Sequence, residues 1–358
     1  MQYTIKGWYL IFATLQLLLK PMSDTDSTRP TLKTIADMTG LSLSTVSLSL
    51  RDGNKLKKST NEKVAKAAEQ LGYVPNRAGV RLRTGRTNVL ALLLSADENS
   101  LDFTRSLIQG IGEALRLTPY HLNVLPDFDP DDSVASVNYI LQNRAADGVI
   151  LTHTSARDPR VQLLMDANFP FVSHGRTEFY SEHPYHDFPG EEFVDLSVRR
   201  LVKKGRRNLL MVAVDNGTTY HSIAVNSFHK SVAAANSRGD VLNNAQVLSN
   251  PLHVRSFAHE LAASSNRYDG IICNSELTAL ALIGGLQDKA LSLGSDFDLV
   301  CRQTSDILPL LYPNIDTVAE DLKNTGSELA TLLVKRIDGE QISELQTMHK
   351  PVTHWRAE

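Results

Sequence analysis

Hydroxyl side chains crowd one short stretch of the sequence, residues 42–50, which reads SLSTVSLSL. Ser and Thr hydroxyls donate and accept hydrogen bonds, and they can contact both the phosphates and the base edges of a nucleic acid. Serine-rich helices form poorly, so a helix that merely faces solvent gives no reason for these residues. A small helical bundle with exposed serines is the alternative interpretation. The stretch indicates a contact surface, for which Ser44, Thr45 and Ser47 are candidates.

Polar and aromatic side chains also stand at the ends of several apolar runs farther along the chain. A few convergent polar groups beside aromatic rings are typical of sites for sugars and purines. Some of these side chains could instead only pack the ends of strands. The candidates for such a small-molecule site are Phe103, His174, Arg176, Thr218, Tyr220, Asn274 and Gln303.

Patterns typical of catalysis or metal binding are missing or incomplete. The sequence has no P-loop, zincin or nucleophile-elbow motif, and Gly110-Ile111-Gly112 lacks the third glycine of a dinucleotide fingerprint. Asp127–Asp132 lacks the glycine and final Glu of a calcium loop, and a proline interrupts the metal-like residues His183–Asp187. We therefore expect neither an enzyme nor a bound metal or cofactor.

The charge is distributed unevenly along the chain. The 358 residues include 37 Lys or Arg and 40 Asp or Glu, for a formal net charge of −3. Residues 29–88 carry twelve basic and four acidic side chains, a net charge of +8, whereas residues 89–358 carry −11. A basic head on an acidic body indicates nucleic-acid contact by one segment only. Cys273 and Cys301 lie in apolar runs without partners at metal spacing, which favours a reducing cytoplasm.

Short helices are predicted to position the hydroxyl stretch. Thr31 caps the first helix, Gly40 ends it, and the second helix begins almost at once, at Leu43. Two helices joined in this way form a helix-turn-helix, in which the start of the second helix lies in the major groove of DNA. A third helix, capped by Ser59 or Thr60, completes the bundle. The predicted core faces hold Leu32, Ile35, Ala36 and Thr39, then Leu43, Val46 and Leu50, then Val64, Ala67, Ala68 and Leu71.

Beyond residue 88, short apolar runs alternate with amphipathic stretches, which predicts doubly wound parallel sheets with helices on both faces. Ligands in such sheets bind at the carboxyl ends of the strands. The predicted strands are residues 89–94, 121–126, 147–152, 169–174, 208–214, 269–274 and 297–302. The predicted helices are residues 103–117, 132–144, 191–204, 222–236 and 277–289.

The first 28 residues are interpreted as a leader. The apolar run Trp8–Leu19 has twelve residues, whereas a helix needs about 20 to cross a bilayer. It resembles the apolar part of an export signal, but Lys20-Pro21 follows it and no small-residue cleavage site is present. We expect Met22 to be the true start.

The helical head and the linker that follows it resemble those of the LacI/GalR (lactose-repressor) family of bacterial transcription regulators. The segments IADMTGLSLSTVS and LGYVPNRAGVRL resemble that family's head in order and spacing. The resemblance implies that Leu43 and Ser44 face base edges, and that Thr45, Ser47, Lys33, Lys57 and Arg77 contact phosphates. Leu48 stands where the family usually has Arg, so the base read at that position should differ, with apolar contact to a thymine methyl as one option.

The resemblance assigns a second role to residues 75–86. In the family this linker becomes a helix when two subunits pair on DNA, and it inserts a leucine into the minor groove. Leu82 occupies that position, and such wedges kink the duplex. Gly79 lowers helicity by about 1 kcal/mol relative to Ala, as suits a segment that needs a partner to fold. An ordinary basic linker is the alternative.

The body resembles the family more weakly, in segments such as AADGVIL and YDGIICNSELTALALIGGL. The resemblance extends over residues 31 to about 345 and implies two subdomains of the periplasmic-binding-protein type, joined by crossings near Asp187, Thr317 and Leu345. Ala224 and Gln303 replace residues that are usually Arg and Asp, which weakens the transfer of any particular sugar's contacts. The implied domains are residues 29–74 for the DNA-binding head, 75–86 for the hinge, 87–345 for effector binding and 346–358 for a C-terminal segment.

We therefore expect a cytoplasmic transcription regulator, specifically a repressor, with no membrane contact. Its expected partners are a pseudo-palindromic double-stranded operator, a second copy of the chain in a homodimer, and a sugar or glycoside effector, which could act as inducer or corepressor. An exported sugar-binding transport receptor is the alternative, but such a receptor has no use for a helix-turn-helix.

Overall fold

The structure is a computed structural model that describes residues 30–51, 55–74, 79, 81, 84–95, 103–127, 132–179, 181–264 and 267–356. The leader, Arg77 and Leu82 lie outside these residues. The chain divides after Gly85 into two compact units, the head and the body, and each is described by itself. No helix within the described ranges is long and apolar enough to cross a membrane.

Among its described residues the head has helices α1 (Leu32–Thr39), α2 (Leu43–Arg51) and α3 (Lys58–Leu71), and Gly79, Arg81 and Thr84 are helical as well. Thr31 caps α1 as predicted, because its hydroxyl accepts a hydrogen bond from the Thr34 amide at 3.3 Å. Gly40 ends the helix at a φ of +68°, in the left-handed region that favours glycine. The predicted cap of α3, Ser59 or Thr60, was wrong: the helix begins at Lys58, and Lys57 precedes it without a side-chain hydrogen bond.

The head is held by a small core. Ile35, Ala36, Val46, Val64 and Ala67 are buried and pack together. The prediction that Leu43 and Leu50 share the core face of Val46 was wrong, since these two side chains are 53% and 38% exposed. Leu41 from the turn and Tyr73 after α3 pack against the core instead, so α2 contributes one buried side chain and leaves its first residues outward.

The body contains two six-stranded sheets, and the predicted fold class is confirmed. The first has the order β11-β5-β4-β3-β1-β2 and is parallel throughout. The second has the order β12-β10-β9-β8-β6-β7, and only β12 is antiparallel to its neighbour. The strands are β1 (Val89–Ser95), β2 (His121–Asp127), β3 (Gly148–Leu151), β4 (Phe171–His174), β5 (Tyr185–Asp187), β6 (Asn208–Val212), β7 (Arg238–Leu242), β8 (Gly270–Cys273), β9 (Asp298–Gln303), β10 (Asp316–Ala319), β11 (Gln346–Met348) and β12 (Val352–His354).

Helices cover both faces of each sheet, and a buried apolar cluster fills each interface. Burial on both faces explains why the central strands are almost wholly apolar. A short 3-10 helix, Ile342–Glu344, precedes β11. The α-helices of the body are α4 (Phe103–Leu115), α5 (Ala135–Asn143), α6 (Pro159–Asp166), α7 (Gly190–Lys203), α8 (Thr219–Ala234), α9 (Ala245–Leu248), α10 (Pro251–Ala263), α11 (Glu276–Gln287), α12 (Ile307–Leu311) and α13 (Leu322–Ile337).

The chain passes three times between the lobes built on the two sheets. The first crossing follows Asp187, because β5 belongs to the first sheet while α7 packs on the second. The second lies between β10 and α13, just after Thr317. The third lies between Met348 and Val352, later than the expected position at Leu345, which is fully buried in the core of the first lobe.

Helices α4 and α13 touch through their backbones. A Cβ atom built on Gly110 would lie 1.8 Å from the carbonyl oxygen of Lys323, and one on Gly326 would lie 2.2 Å from that of Leu107. The paired glycines therefore allow the two helices to approach more closely than any side chain would permit. Gly110 has this packing role, whereas Gly112 on the same helix faces open space.

We expect Gly110→Ala to destabilise the protein by about 1–3 kcal/mol, because the added methyl group overpacks the contact with α13. The matched control is Gly112→Ala, which should stabilise α4 by about 0.5–1 kcal/mol since it only removes the backbone freedom of glycine. Urea unfolding followed by circular dichroism compares the two. Equal stability of the two variants would contradict the close approach of the helices.

Candidate DNA-reading helix and ligand cleft

The first turn of α2 presents hydroxyl groups around one serine. The Ser42 hydroxyl accepts a hydrogen bond from the Thr45 amide at 3.1 Å and thereby caps the helix. It also lies 2.8 Å from the hydroxyls of both Ser44 and Thr45. Leu43 and Ser44 are exposed and Thr45 is half-buried. The start of the helix thus offers an outward apolar side chain beside a cluster of hydroxyls that can exchange partners.

The remaining head residues of the predicted DNA surface differ in exposure. Lys33 and Lys57 are exposed, whereas Ser47 and Leu48 are half-buried. Ser49 on α2 donates a hydrogen bond to the side chain of Asn61 on α3 at 2.8 Å, which fixes the second helix on the third. Gly79 is exposed, and a Cβ atom there would meet nothing within 4 Å.

In the body, charged residues from both lobes meet at the carboxyl ends of the strands. His174 ends β4 in the first lobe, and its Nε2 lies 3.2 Å from Oε1 of Glu320, which begins the second crossing. Arg302 on β9 in the second lobe donates from Nε to Oε2 of the same carboxylate at 2.8 Å, and its Nη2 contacts that oxygen as well. These three residues form the floor of a cleft between the lobes.

Aromatic rings line this floor. The Arg302 guanidinium lies 4.5 Å from the centre of the Phe188 ring and 4.8 Å from that of Tyr220, as in cation-π contacts. The Phe103 ring, at the start of α4, lies 5.5 Å from the ring of His174 and 5.7 Å from that of His153. Flat apolar faces therefore stand beside polar groups, the combination that binds sugar rings and bases.

Arg302 and Glu320 at the floor are both ionised. Burial opposes ionisation of Glu320, but Arg302 and His174 outweigh that effect and lower the pKa of the carboxyl to about 2. Burial also disfavours the charged form of Arg302, yet Glu320 raises the pKa of the guanidinium above its usual value. Both groups remain charged, so the floor is a neutralised pair rather than an isolated cation.

Several polar atoms at the cleft are buried without a hydrogen-bond partner in the described part of the chain. They include Nδ1 of His153, Oγ1 of Thr219 and Nδ1 of His221. His153 also has a φ of +53°, which is unusual for a residue other than glycine. Burial, followed by the positive charge of His174, lowers the pKa of His153 to about 4. Unpaired buried groups cost free energy, and strained residues cluster at ligand sites, so these atoms indicate a place for a ligand.

A buried ion pair that the sequence patterns did not reveal shapes the loop after β3. Arg160 donates to Asp158 from Nε at 3.0 Å and from Nη2 at 2.7 Å. The same guanidinium donates to the carbonyl oxygens of Thr152 at 3.2 Å and His153 at 3.1 Å. Asp158 caps α6 and Pro159 begins it, a signal that would have located the helix. The pair positions the His153 ring.

The two lobes also touch at the edge of the cleft. The Thr219 amide, at the start of α8 in the second lobe, donates to the Thr154 carbonyl oxygen in the first lobe at 3.0 Å. Ser155 and Thr218 form an isolated antiparallel bridge beside this bond. Thr218 is buried and caps α8 through the His221 amide. These contacts hold the lobes in a closed arrangement.

The predicted cleft residues do not all lie together. Phe103, His174 and Tyr220 meet at the floor, and Arg176 donates to Asp187 at 2.6 Å and to Glu191 at 2.9 Å. Gln303 is buried on β9, where its side-chain oxygen Oε1 accepts from the Thr317 hydroxyl at 2.7 Å.

Asn274 is half-buried at the end of β8. Nearby, Glu276 accepts from the Thr304 hydroxyl at 2.9 Å, which ties the start of α11 to the loop after β9.

The basic run of residues 199–207, at the end of α7, is paired with buried aspartates of the second sheet. Lys204 and Arg206 both pair with Asp298, and Arg200 pairs with buried Asp316 at 2.9 Å. Strands β9 and β10 bring these aspartates under α7. In the described ranges no group of three His, Cys, Asp or Glu could hold a metal ion.

Comparison with known proteins adds family information. Residues 31–76 match the model for bacterial regulatory proteins of the lacI family, and residues 198–356 match that for a periplasmic binding protein-like domain. The chain is 25% identical to the HTH-type transcriptional regulator AglR of Rhizobium meliloti, over 85% of this chain and 86% of AglR. It is 27% identical to the regulator CelR of Thermobifida fusca, over 87% of this chain and 93% of CelR.

Solved structures share the fold. The Lac repressor dimer bound to operator and the anti-inducer ONPF aligns with a TM-score of 0.77 at 16% identity, covering 92% of this chain and 98% of that chain. A complex of the regulator CelR with cellobiose aligns with a TM-score of 0.66 at 23% identity, covering 92% of this chain and 99% of that chain. At these identities the likeness concerns the architecture.

His186 beside the first crossing makes stability depend on pH. It is buried, its Nδ1 lies 2.9 Å from the Thr347 hydroxyl, and burial lowers its pKa to about 4. The unfolded chain therefore binds this proton more strongly, and the free energy of unfolding falls as the pH drops from about 6.5 to about 4.

We expect His186→Asn, which keeps a polar atom near Thr347, to reduce this pH dependence by about 2 kcal/mol between pH 7.5 and 5. Urea unfolding at the two pH values measures it. His121→Asn, at an exposed position, is the control, and an identical loss of stability in wild type and His186→Asn would refute the assignment.

Proposed function

The chain belongs to the LacI family of bacterial transcription regulators, and from this premise we propose that it is a cytoplasmic repressor, controlled by a sugar, that binds a pseudo-palindromic operator as a homodimer. One observation carries the proposal. The same chain combines an outward helix-turn-helix with a two-lobed cleft that contains buried polar atoms without partners. It is not an enzyme in this proposal, and an exported receptor would have no use for the head.

The head reads DNA through the first turns of α2. Leu43 and Ser44 face base edges, and Thr45 and Ser47 contact phosphates, as in other proteins that place a second helix in the major groove. The hydroxyls that now bond to Ser42 can rotate towards DNA, so docking exchanges hydrogen bonds of similar strength. Leu48 contributes apolar contact, for example to a thymine methyl.

Basic residues supply affinity without sequence information. Lys33 and Lys57 are exposed on the head, and together with Arg77 they neutralise phosphates and release counterions. In the hinge, Gly79 keeps the segment weakly helical until it meets DNA, and Leu82 inserts into the minor groove between the two half-sites.

The effector binds between the lobes. Phe103 and Tyr220 offer stacking faces, while Asn274, His174, Arg176 and Thr218 lie among the groups that hydrogen-bond to it, and Gln303 supports the strand ends. No described residue hydrogen-bonds to the Asn274 amide, which leaves it available to a ligand. A relative of similar architecture has been solved with cellobiose, which supports a sugar as the class of effector.

Regulation follows from movement of the lobes about the three crossings. The contacts of Thr219 with Thr154 and of Thr218 with Ser155 span the cleft edge, so a bound ligand changes how strongly they are made. A ligand shifts the equilibrium only as far as it binds the two arrangements unequally. The resulting rotation changes the spacing of the paired hinges and hence the placement of Leu82.

The second lobe exposes apolar residues that suit a second copy of the chain. Leu310 and Leu311 on α12 are 78% and 58% exposed, and Leu252 on α10 is 70% exposed. Both helices border the end of α11, where Arg255 pairs with Asp288 at 2.8 Å. Exposed apolar side chains on neighbouring elements are typical of protein interfaces, and a two-fold dimer would bury the same surface on each subunit.

We expect selection from random duplexes to enrich two inverted half-sites, because a two-fold dimer reads each half with one head. A gel shift on the selected duplex then tests cellobiose, maltose, raffinose and trehalose. Loss of DNA binding identifies an inducer and stronger binding identifies a corepressor. Enrichment of no sequence, or of a single asymmetric half-site, would contradict the proposal.

We expect Ser44→Ala to change the preferred base within each half-site, since it removes a base-edge hydrogen bond, whereas Lys57→Ala should weaken binding to all sequences alike. The two variants should also differ in the salt dependence of binding. The slope of log affinity against log salt should be reduced by about 1 for Lys57→Ala and be unchanged for Ser44→Ala. Selection and salt titration with each variant provide the measurement. The opposite pattern would refute this division of roles.

A further inference from the structure

We propose that Glu320 sets the charge selectivity of the cleft, so that the effector is an uncharged polyhydroxy compound and its phosphorylated form is rejected. The inference rests on the proposed function for the place where the effector binds, and it adds the chemical class of that effector. It starts from the state of the arginines at the cleft.

Arg302 would be an anion site if it stood alone. A guanidinium offers two parallel N–H groups that match a phosphate. Here that edge is occupied, because Nε and Nη2 both donate to the Glu320 carboxylate. Two aromatic rings also lie against the guanidinium, Phe188 at 4.5 Å and Tyr220 at 4.8 Å. A ligand phosphate would have to displace a buried carboxylate to reach Arg302.

The other arginines beside the cleft are neutralised in the same way. Arg160 is held by Asp158, and Arg176 by Asp187 and Glu191. Together with the pair at the floor, three guanidinium groups face four carboxylates in the described part of the cleft: Arg160, Arg176 and Arg302 against Asp158, Asp187, Glu191 and Glu320. Each of these guanidinium groups is therefore already paired with a carboxylate, which leaves less attraction for a bound anion.

Apart from these paired guanidinium groups, the groups left for a ligand are neutral. Nδ1 of His153, Oγ1 of Thr219 and Nδ1 of His221 are buried and have no partner among the described residues, and Asn274, directly after β8, is half-buried. Hydroxyl groups of a polyol can both donate to and accept from such atoms. The arrangement suits many weak dipolar contacts and offers no strong cationic one.

Glu320 is well placed to enforce this selectivity. Its amide donates to the Gln303 carbonyl oxygen at 2.9 Å, and its carboxylate joins Arg302 of one lobe to His174 of the other. The side chain is buried and begins the second crossing. Withdrawing it from Arg302 to admit a phosphate would break its contacts with both lobes.

The first test uses the wild-type protein. Thermal shift followed by isothermal titration compares cellobiose, trehalose and raffinose with cellobiose 6-phosphate and trehalose 6-phosphate, and adenosine with adenosine monophosphate. We expect at least one uncharged compound to bind and its phosphate to bind at least 100-fold more weakly.

The outcomes separate the two proposals. A sugar phosphate that binds as tightly as its parent sugar overturns the charge selectivity and leaves the sugar effector standing. Binding of adenosine but not of its phosphate, with no sugar bound, supports the selectivity and removes the sugar effector. Absence of binding by every uncharged compound overturns the inference.

The second test changes the residue itself. Glu320→Gln removes the charge that neutralises Arg302, and we expect the preference for the uncharged ligand over its phosphate to fall at least 10-fold. The control Glu260→Gln, at an exposed position on α10, removes a distant carboxylate. It should leave the preference for the uncharged ligand unchanged. An unchanged preference in folded Glu320→Gln, judged by circular dichroism, overturns the role of this residue; if the variant does not fold, the wild-type comparison decides.

Discussion

The contact of Glu320 with Arg302 and His174 is the interaction on which the two-lobed body depends. Charges removed from water are costly unless they are paired and hydrogen-bonded, and removing one partner of a buried pair typically costs about 3–5 kcal/mol. The three residues come from a crossing, a strand of the second lobe and a strand of the first lobe. Each therefore requires the others, and their meeting point fixes the cleft floor against which the aromatic rings and the unpaired polar atoms are arranged.

The head is held together by apolar packing and hydroxyl hydrogen bonds rather than by a buried ion pair. Its core is small, with Ile35, Val46 and Val64 at its centre, and the surface that we propose reads DNA consists of hydroxyls bonded to one another. Such a surface gains little energy from any single contact, so precision must come from the scaffold, where Ser49 bonds to Asn61 across the two helices. Net positive charge then supplies affinity. The acidic body and the basic head thus divide sensing from DNA contact by the sign of their charge.

The seven predicted strands lie in apolar runs of the sequence, whereas β7, β10 and the three shortest strands were not predicted. Strands β5, β11 and β12 have three residues each, too few for any periodicity, and they form because crossing segments pair with sheet edges. Arg302 and Glu320 lie 18 residues apart, and only the pairing of β9 with β10 brings them together. Successive side chains on a strand face opposite sides, so Arg302 reaches the aromatic floor while its neighbour Gln303 bonds to Thr317, a choice of register that the run LVCRQ does not reveal.

The glycine contact between α4 and α13 has a mechanical consequence. Helix α13 starts two residues after Glu320, and α4 starts with Phe103 at the cleft. Because Gly110 and Gly326 let the two backbones touch, no side chain separates the helices at these two positions. The second crossing and the aromatic wall of the cleft are thereby coupled. A displacement of α13 next to Glu320 moves α4, and with it the Phe103 ring.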